Sequence, residues 1–176
     1  TFDEKEIFIV LGDTVFDFNL EQVFSSPISA LGVKTVDDPS RFGVALMENG
    51  TIKQLIEKPS KPVSNLALVG LYYIKDAQKL LKSLTYMVDN DMRTRGEIQL
   101  TDALQMMIQQ GEPFTTFPVD GWLDCGKPET LLETNRYILN KLDSTQPIPG
   151  VTLVPPVFID PTATVEGSVI GPYTSI

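Results

Sequence analysis

Two aspartates stand where the strands of an α/β protein would deliver them. Asp13 follows the apolar run Glu6 to Leu11 (EIFIVL) and Gly12, and Asp124 follows Gly121-Trp122-Leu123. In open α/β sheets the ligand crevice lies outside the carboxyl ends of the strands, so carboxylates there are placed for chemistry. The same positions also suit plain turn or capping aspartates. Two carboxylates about 4 Å apart at an effective dielectric of about 20 would repel by about 4 kcal/mol, which a divalent cation would relieve. Oxygen ligands without sulfur or imidazole point to magnesium, which is commonly held by one or two carboxylates together with substrate phosphates.

Composition narrows the chemistry further. The 176 residues include no histidine, which removes Ser-His-Asp and Cys-His nucleophile systems, histidine zinc sites and imidazole bases. Cys125 is the one cysteine, so neither an internal disulfide nor a thiolate cluster is possible, and a cytoplasmic setting is expected. Catalysis is left to carboxylates, Lys, Arg, hydroxyls or a hard metal. With 23 acidic and 14 basic residues the net charge is −9, so there is no basic footprint for nucleic acid or an anionic membrane, and neither is an expected partner. The apolar stretch Leu66 to Ile74 falls far short of the roughly twenty residues of a membrane helix. Thr1 to Glu6 is too acidic for a signal peptide. Thr1 stands in place of an initiator methionine and Ile176 interrupts an apolar pattern, so the chain is expected to be a truncated piece of a longer protein.

The elements that must position these groups follow from periodicity. Glu6 to Leu11 predicts a buried strand of a parallel sheet, and Pro27 to Val36 a second strand. Phe42 to Glu48 and Thr51 to Glu57 alternate around Asn49-Gly50, a strong hairpin signal because both turn positions need positive φ. Pro59 and Pro62 make the next segment a stiff loop, and Ala67 to Ile74 reads as a buried strand. Gly70 inside that strand marks a bulge or a close ligand approach. Helices are predicted over Asp76 to Tyr86, Glu97 to Gln110 and Glu129 to Leu142, with short strands at Thr115 to Val119 and ending at Trp122-Leu123-Asp124. This interleaving argues for an α/β class with a mixed, mostly parallel sheet. Beyond a linker over 144–150, Ile159, Val165, Ile170 and Ile176 are spaced six, five and six residues apart among small and turn residues. That spacing resembles the hexapeptide repeat of a left-handed β-helix.

Six motifs occur in one order: LGD (11–13), RFGVA (41–45), IEKP (56–59), VGLYYI (69–74), RGEIQLTDAL (95–104) and WLDCGKPETLLE (122–133). Together they resemble the sugar-1-phosphate nucleotidyltransferases, closest to the glucose-1-phosphate thymidylyltransferase type in its long form with a C-terminal left-handed β-helix. The resemblance covers about residues 5 to 142. It implies a Rossmann-like nucleotidyltransferase domain, present as its sugar-phosphate-binding C-terminal half over 1–143, followed by the start of the β-helix over 151–176.

The activity implied is transfer of a nucleoside monophosphate from a nucleoside triphosphate, dTTP or UTP, to a hexose 1-phosphate such as glucose 1-phosphate, with release of pyrophosphate. Positioning and charge neutralisation would carry such an in-line displacement, which suits a chain without histidine. By motif, Asp13 and Asp124 would hold magnesium. Lys58 and Arg95 would contact the sugar phosphate as the catalytic cations, and Glu57 would accept hydrogen bonds from hexose hydroxyls. Gly43 and the Val69-Gly70 backbone would line the sugar. Tyr72 and Glu97 are further substrate-binding candidates, and Trp122 would pack beside the site. The family also implies a possible homo-oligomer.

The sequence departs from the family in three places. The glycine-rich G-G-x-G-T-R-L signature that binds the triphosphate is absent from these residues, so the chain alone is expected to be inactive. Phe42 stands where relatives often carry tyrosine, and Cys125 replaces the threonine of W-x-D-T-G. The alternative reading is a non-catalytic sugar-nucleotide-binding or regulatory module of the same fold. An acyltransferase built on the hexapeptide tail is disfavoured, because such enzymes need many coils and usually a histidine.

Overall fold

The computed structural model describes residues 4–61, 63–142 and 146–176, with Asp124 described by its backbone alone. Pro62 and the expected linker residues Ser144 and Thr145 therefore lie outside the described residues. In chain order the elements are β1 (Ile7–Val10), β2 (Thr14–Asp17), α1 (Leu20–Phe24), β3 (Ser29–Thr35), β4 (Gly43–Glu48), β5 (Thr51–Glu57) and β6 (Leu66–Ile74). There follow α2 (Ala77–Asp89), α3 (Leu100–Gln109), β7 (Phe114–Pro118), β8 (Gly121–Asp124), α4 (Pro128–Leu139), β9 (Thr152–Leu153), β10 (Val157–Phe158), β11 (Val169–Ile170) and β12 (Thr174–Ser175). The chain divides into two compact units, one of residues 1–12 and 16–122, the other of residues 13–15 and 123–176.

The first unit is built on a six-stranded sheet whose spine is β6, buried along all but its first residue. One edge of β6 pairs antiparallel with β3; the other pairs antiparallel with β4 near Ala67 and with β1 over Leu71 to Ile74. β4 and β5 form an antiparallel hairpin, and among the described residues β3 with β7 is the one parallel pair of this sheet. The fold class is thus α/β with a mixed sheet, but the expectation of a mostly parallel, Rossmann-like sheet is corrected to a mostly antiparallel one. Parallel neighbours need long crossovers, whereas β3, β4, β5 and β6 follow one another through turns and loops without an intervening helix.

The apolar runs misled because both faces of this sheet are covered. Leu31, Leu104, Met107 and Phe114 belong to a cluster that α2 and α3 share with one face. Val23, Val69, Leu71 and Phe117 form the other, with Phe8, Phe16, Phe18 and Trp122 packed against it. Burial on both faces gives continuous apolar strands whichever way the neighbours run. β1 is also corrected. It lies antiparallel, pairs with β6 alone among the described residues, and leaves Val10 50% exposed rather than buried in a parallel sheet.

Helix boundaries follow the caps. Asp76 accepts a hydrogen bond from the Lys79 amide at 2.8 Å and starts α2, which runs on to Asp89 rather than stopping at Tyr86. α3 begins at Leu100, not Glu97, because Thr94 and Glu97 close a two-residue turn first. Pro128 opens α4, where a missing amide proton does no harm, and the helix ends at Leu139 rather than Leu142.

In the second unit, α4 is fastened to the C-terminal strands. Asn135 donates to the Tyr173 carbonyl at 3.0 Å and accepts from the Ser175 hydroxyl at 2.6 Å, while Arg136 lies 4.7 Å over the Tyr173 ring. Among the described residues, 151–176 form two short parallel ladders, β9 with β11 and β10 with β12.

Candidate functional site

The site candidates of the first unit gather where β5 ends, and the register of the hairpin puts them there. Asn49 and Gly50 adopt φ of 51° and 81°, as a tight two-residue turn demands. From that turn the pairing runs Glu48 with Thr51 and Met47 with Ile52, then jumps to Leu46 with Gln54, leaving Lys53 as an extra residue. Such a bulge reverses which side chains face a given side of the strand. Ile52 and Leu55 are consequently both buried although three positions apart, and the Leu55 amide turns to the Gln105 side-chain oxygen on α3 at 2.7 Å. Beyond the bulge Glu57 shares the face of Leu55. Its carboxylate accepts a hydrogen bond from the Thr101 hydroxyl of α3 at 2.7 Å and is only 9% exposed.

Gly43 is the partner of Glu57 across the hairpin. A Cβ on Gly43 would lie 2.9 Å from a Glu57 carboxylate oxygen and 3.1 Å from the Thr101 hydroxyl, so space is what requires glycine here. Phe42, just before it, accepts a hydrogen bond from the Lys58 amide at 3.0 Å and meets Trp122 edge-on with ring centroids 4.9 Å apart.

Lys58 stands beside this carboxylate and Arg95 is bound to the Lys58 backbone, each in a backbone conformation that residues with a Cβ rarely adopt. Lys58 has φ 43° and Arg95 φ 55°. Lys58 Nζ lies 3.7 Å from Glu57, with its side chain 36% exposed. Arg95 shares the Thr94–Glu97 turn with Gly96, and its guanidinium donates to the Lys58 carbonyl at 2.6 Å. Thr101 carries no signal in the sequence beyond its place inside the RGEIQLTDAL motif. Its part becomes visible only through its bond to Glu57.

The nucleotidyl transferase family model matches residues 1–141. The chain belongs to the nucleotidyl transferase family. It is 33% identical over 143 residues to the low-salt glycan biosynthesis nucleotidyltransferase Agl11 of Haloferax volcanii, covering 77% of this chain and 39% of that protein. Against a glucose-1-phosphate thymidylyltransferase of Streptomyces griseus it is 30% identical over 190 residues, covering 95% of this chain and 51% of the relative. The chain thus spans between a third and about half of the length of these curated relatives. In fold it is similar to the UTP-bound UGPase of Acinetobacter baumannii, with a TM-score of 0.62 at 20% identity over 81% of this chain and 53% of the other.

Other residues that the sequence pointed to in this nucleotidyl transferase chain are placed differently. Gly70 has φ 95° and sits at the irregularity where β3 shifts register on β6, so the bulge is found. Its missing side chain makes room for Leu11, whose Cδ1 would lie 2.9 Å from an added Cβ, and Val69 beside it is buried in the second cluster. Glu97 is exposed, accepts from the Gln99 side chain at 2.9 Å and lies ahead of α3 rather than in its first turn.

Tyr72 is buried in the core, and its phenol is pushed up to about 12, first by burial and then by the charge of Glu57. The unfolded phenol ionises near its ordinary 10.0, so between that value and about 12 the unfolded chain holds fewer protons than the folded one. The stability that this proton contributes is complete below pH 10.0 and declines as the pH rises toward 12. Denaturation with urea across that window should show a loss of up to about 2–3 kcal/mol, which Tyr72→Phe removes.

The second unit carries the two aspartates. β2 pairs with β8, and the Cys125 amide donates to the Asp13 carbonyl at 2.9 Å, so the backbones at 13 and 125 lie side by side. Asp13 is exposed, and its carboxylate accepts from the Thr14 hydroxyl at 3.2 Å. The Asp124 side chain lies outside the described residues. Among the described residues no three His, Cys, Asp or Glu side chains cluster as metal ligands.

Proposed function

We propose that this chain supplies the sugar-phosphate-binding part of an enzyme that transfers a nucleoside monophosphate from dTTP or UTP to a hexose 1-phosphate, glucose 1-phosphate foremost. An oxygen of the sugar phosphate attacks the α-phosphorus, a new P–O bond forms, and the bond to the leaving pyrophosphate breaks. The observation that carries this reading is Lys58 beside the largely buried Glu57 carboxylate with the Arg95 guanidinium on the Lys58 carbonyl, both cationic residues in left-handed backbone conformations. Two cationic residues joined through the Lys58 backbone suit an oxyanion, and a carboxylate fixed by Thr101 suits hydroxyl donors. In this reading Lys58 and Arg95 hold the phosphate, Glu57 orients the hexose, and Gly43 leaves room for it.

Asp13 and Asp124 hold magnesium in this reading. The exposed Asp13 carboxylate and the adjacency of the two chain segments fit a hard cation completed by phosphate oxygens. When bound, the metal supplies charge neutralisation between phosphoryl groups. Triphosphate binding has no visible source in these residues, so the chain alone binds sugar phosphate without turning over. We further read residues 151–176 as the opening of a left-handed β-helix. The two ladders pair residue 152 with 169 and 157 with 174, a constant offset close to about three hexapeptide repeats.

Calorimetric titration of the chain with glucose 1-phosphate tests the core of this proposal. Saturable binding is expected, and Lys58→Ala and Gly43→Ala should each weaken it about tenfold or more, the second by displacing the Glu57 carboxylate. Binding that neither substitution alters would reject this site.

A further inference from the structure

A cleft lies between α2 and the C-terminal end of α3, roughly 8 to 13 Å along the α3 axis from Thr101 by helix rise. It has a volume of about 650 Å³ and is lined by Asp76, the N-cap of α2, by Lys79, Lys82, Ser83 and Tyr86 of α2, and by Met106 of α3 with its C-cap Gln110. Positions 79, 83 and 86 recur at helical spacing, so they share one face of α2.

Ser83 is the informative residue. It is 3% exposed, and its hydroxyl has no hydrogen-bond partner. A serine inside a helix commonly returns its hydroxyl to the carbonyl four residues back, and this one does not. An unsatisfied buried hydroxyl is destabilising, and alanine would be the better helix former at the same size. A polar group kept at such a cost calls for a partner that is not part of the chain.

The surroundings define that partner. Lys79 is already neutralised by Glu112 at 2.6 Å, and Asp76 is engaged in capping α2. Lys82 has no ion-pair partner among the described residues. One uncommitted ammonium and one orphan hydroxyl donor match a singly charged group with two acceptor oxygens. The Tyr86 ring and the Met106 thioether offer a flat, polarisable wall beside them. We propose that this cleft binds a small carboxylate with an aromatic or apolar body, its oxygens shared between Lys82 and Ser83. The inference does not depend on the sugar-phosphate reading, whose test is read out at Lys58.

The experiment is a titration of the full chain, followed by amide chemical shifts and calorimetry, with benzoate as the probe, benzyl alcohol as its uncharged counterpart and inorganic phosphate as the dianion. Benzoate should saturate shifts confined to residues 79–86 and 106–110, and benzyl alcohol should not. Lys82→Ala should weaken benzoate about tenfold and Ser83→Ala about fivefold. Ser83→Ala should also raise the thermal midpoint of the unliganded chain, which separates a binding role from simple misfolding. Absence of saturable benzoate shifts, equal binding of benzyl alcohol, preference for phosphate, or affinity unchanged in both variants would each overturn the proposal.

Discussion

Asp13→Asn and Asp124→Asn should each abolish magnesium-dependent pyrophosphate release in any polypeptide that contains this chain and turns over nucleoside triphosphate with glucose 1-phosphate. Asparagine keeps the size and the acceptor oxygen, so the Thr14 hydroxyl at 3.2 Å still finds a partner at position 13 and the local backbone is kept. What is lost is the negative charge. A hard cation held by two carboxylates and phosphate oxygens depends on that charge, and preorganised charge stabilisation of this kind commonly carries about 10²–10³ in rate per donor. Pyrophosphate release measured with and without a chelator, with thermal midpoints of the variants alongside, checks the expectation. Activity that survives either substitution or the chelator would remove both aspartates from the chemistry.

The largest effect on stability is expected at Phe114. It opens β7, is fully buried, and is the largest side chain with no exposure; its partner in register is Ser29 of β3. Phe114→Ala should lose about 3–5 kcal/mol, the transfer term of the ring plus the cavity left behind. Against a total of about 5–15 kcal/mol for an ordinary domain, such a loss brings the chain close to unfolding at ambient temperature. Urea denaturation should show a lower midpoint with little change in slope. A loss under about 1 kcal/mol would mean that α2 and α3 collapse into the vacated space and that this core is not close-packed.

The sequence made the hairpin legible because Asn49-Gly50 carries its own turn geometry, and it made Glu57-Lys58 legible because a motif surrounds them. Strand direction was not legible. Ala67 to Ile74 is apolar because helices and aromatic side chains cover both faces of the sheet, and that pattern is the same for either direction of the neighbours. Residues 14–24, which form β2 and α1, carry no clear periodic signal. α1 spans only five residues, too few for periodicity to register, and Asn19 caps it through the Gln22 amide at 3.0 Å. The part played by Thr101 was also hidden, since an inward threonine on a helix looks like any core-facing small residue until its partner on another strand is known. The left-handed backbone of Lys58 and Arg95 has no compositional signal either, because neither residue type favours it.

The extra residue at Lys53 makes the placement of the acid depend on the bulge itself. An arm of this length paired regularly from the Asn-Gly turn would set Ile56 opposite Gly43 and send Glu57 to the other face. An arm one residue shorter would need no bulge and would still bring the acid opposite Gly43. Loss of a single codon there would thus spare the carboxylate, and alignments that open a gap at that point would group chains whose sites are chemically alike, whereas a gain or a loss beyond what one bulge absorbs would not.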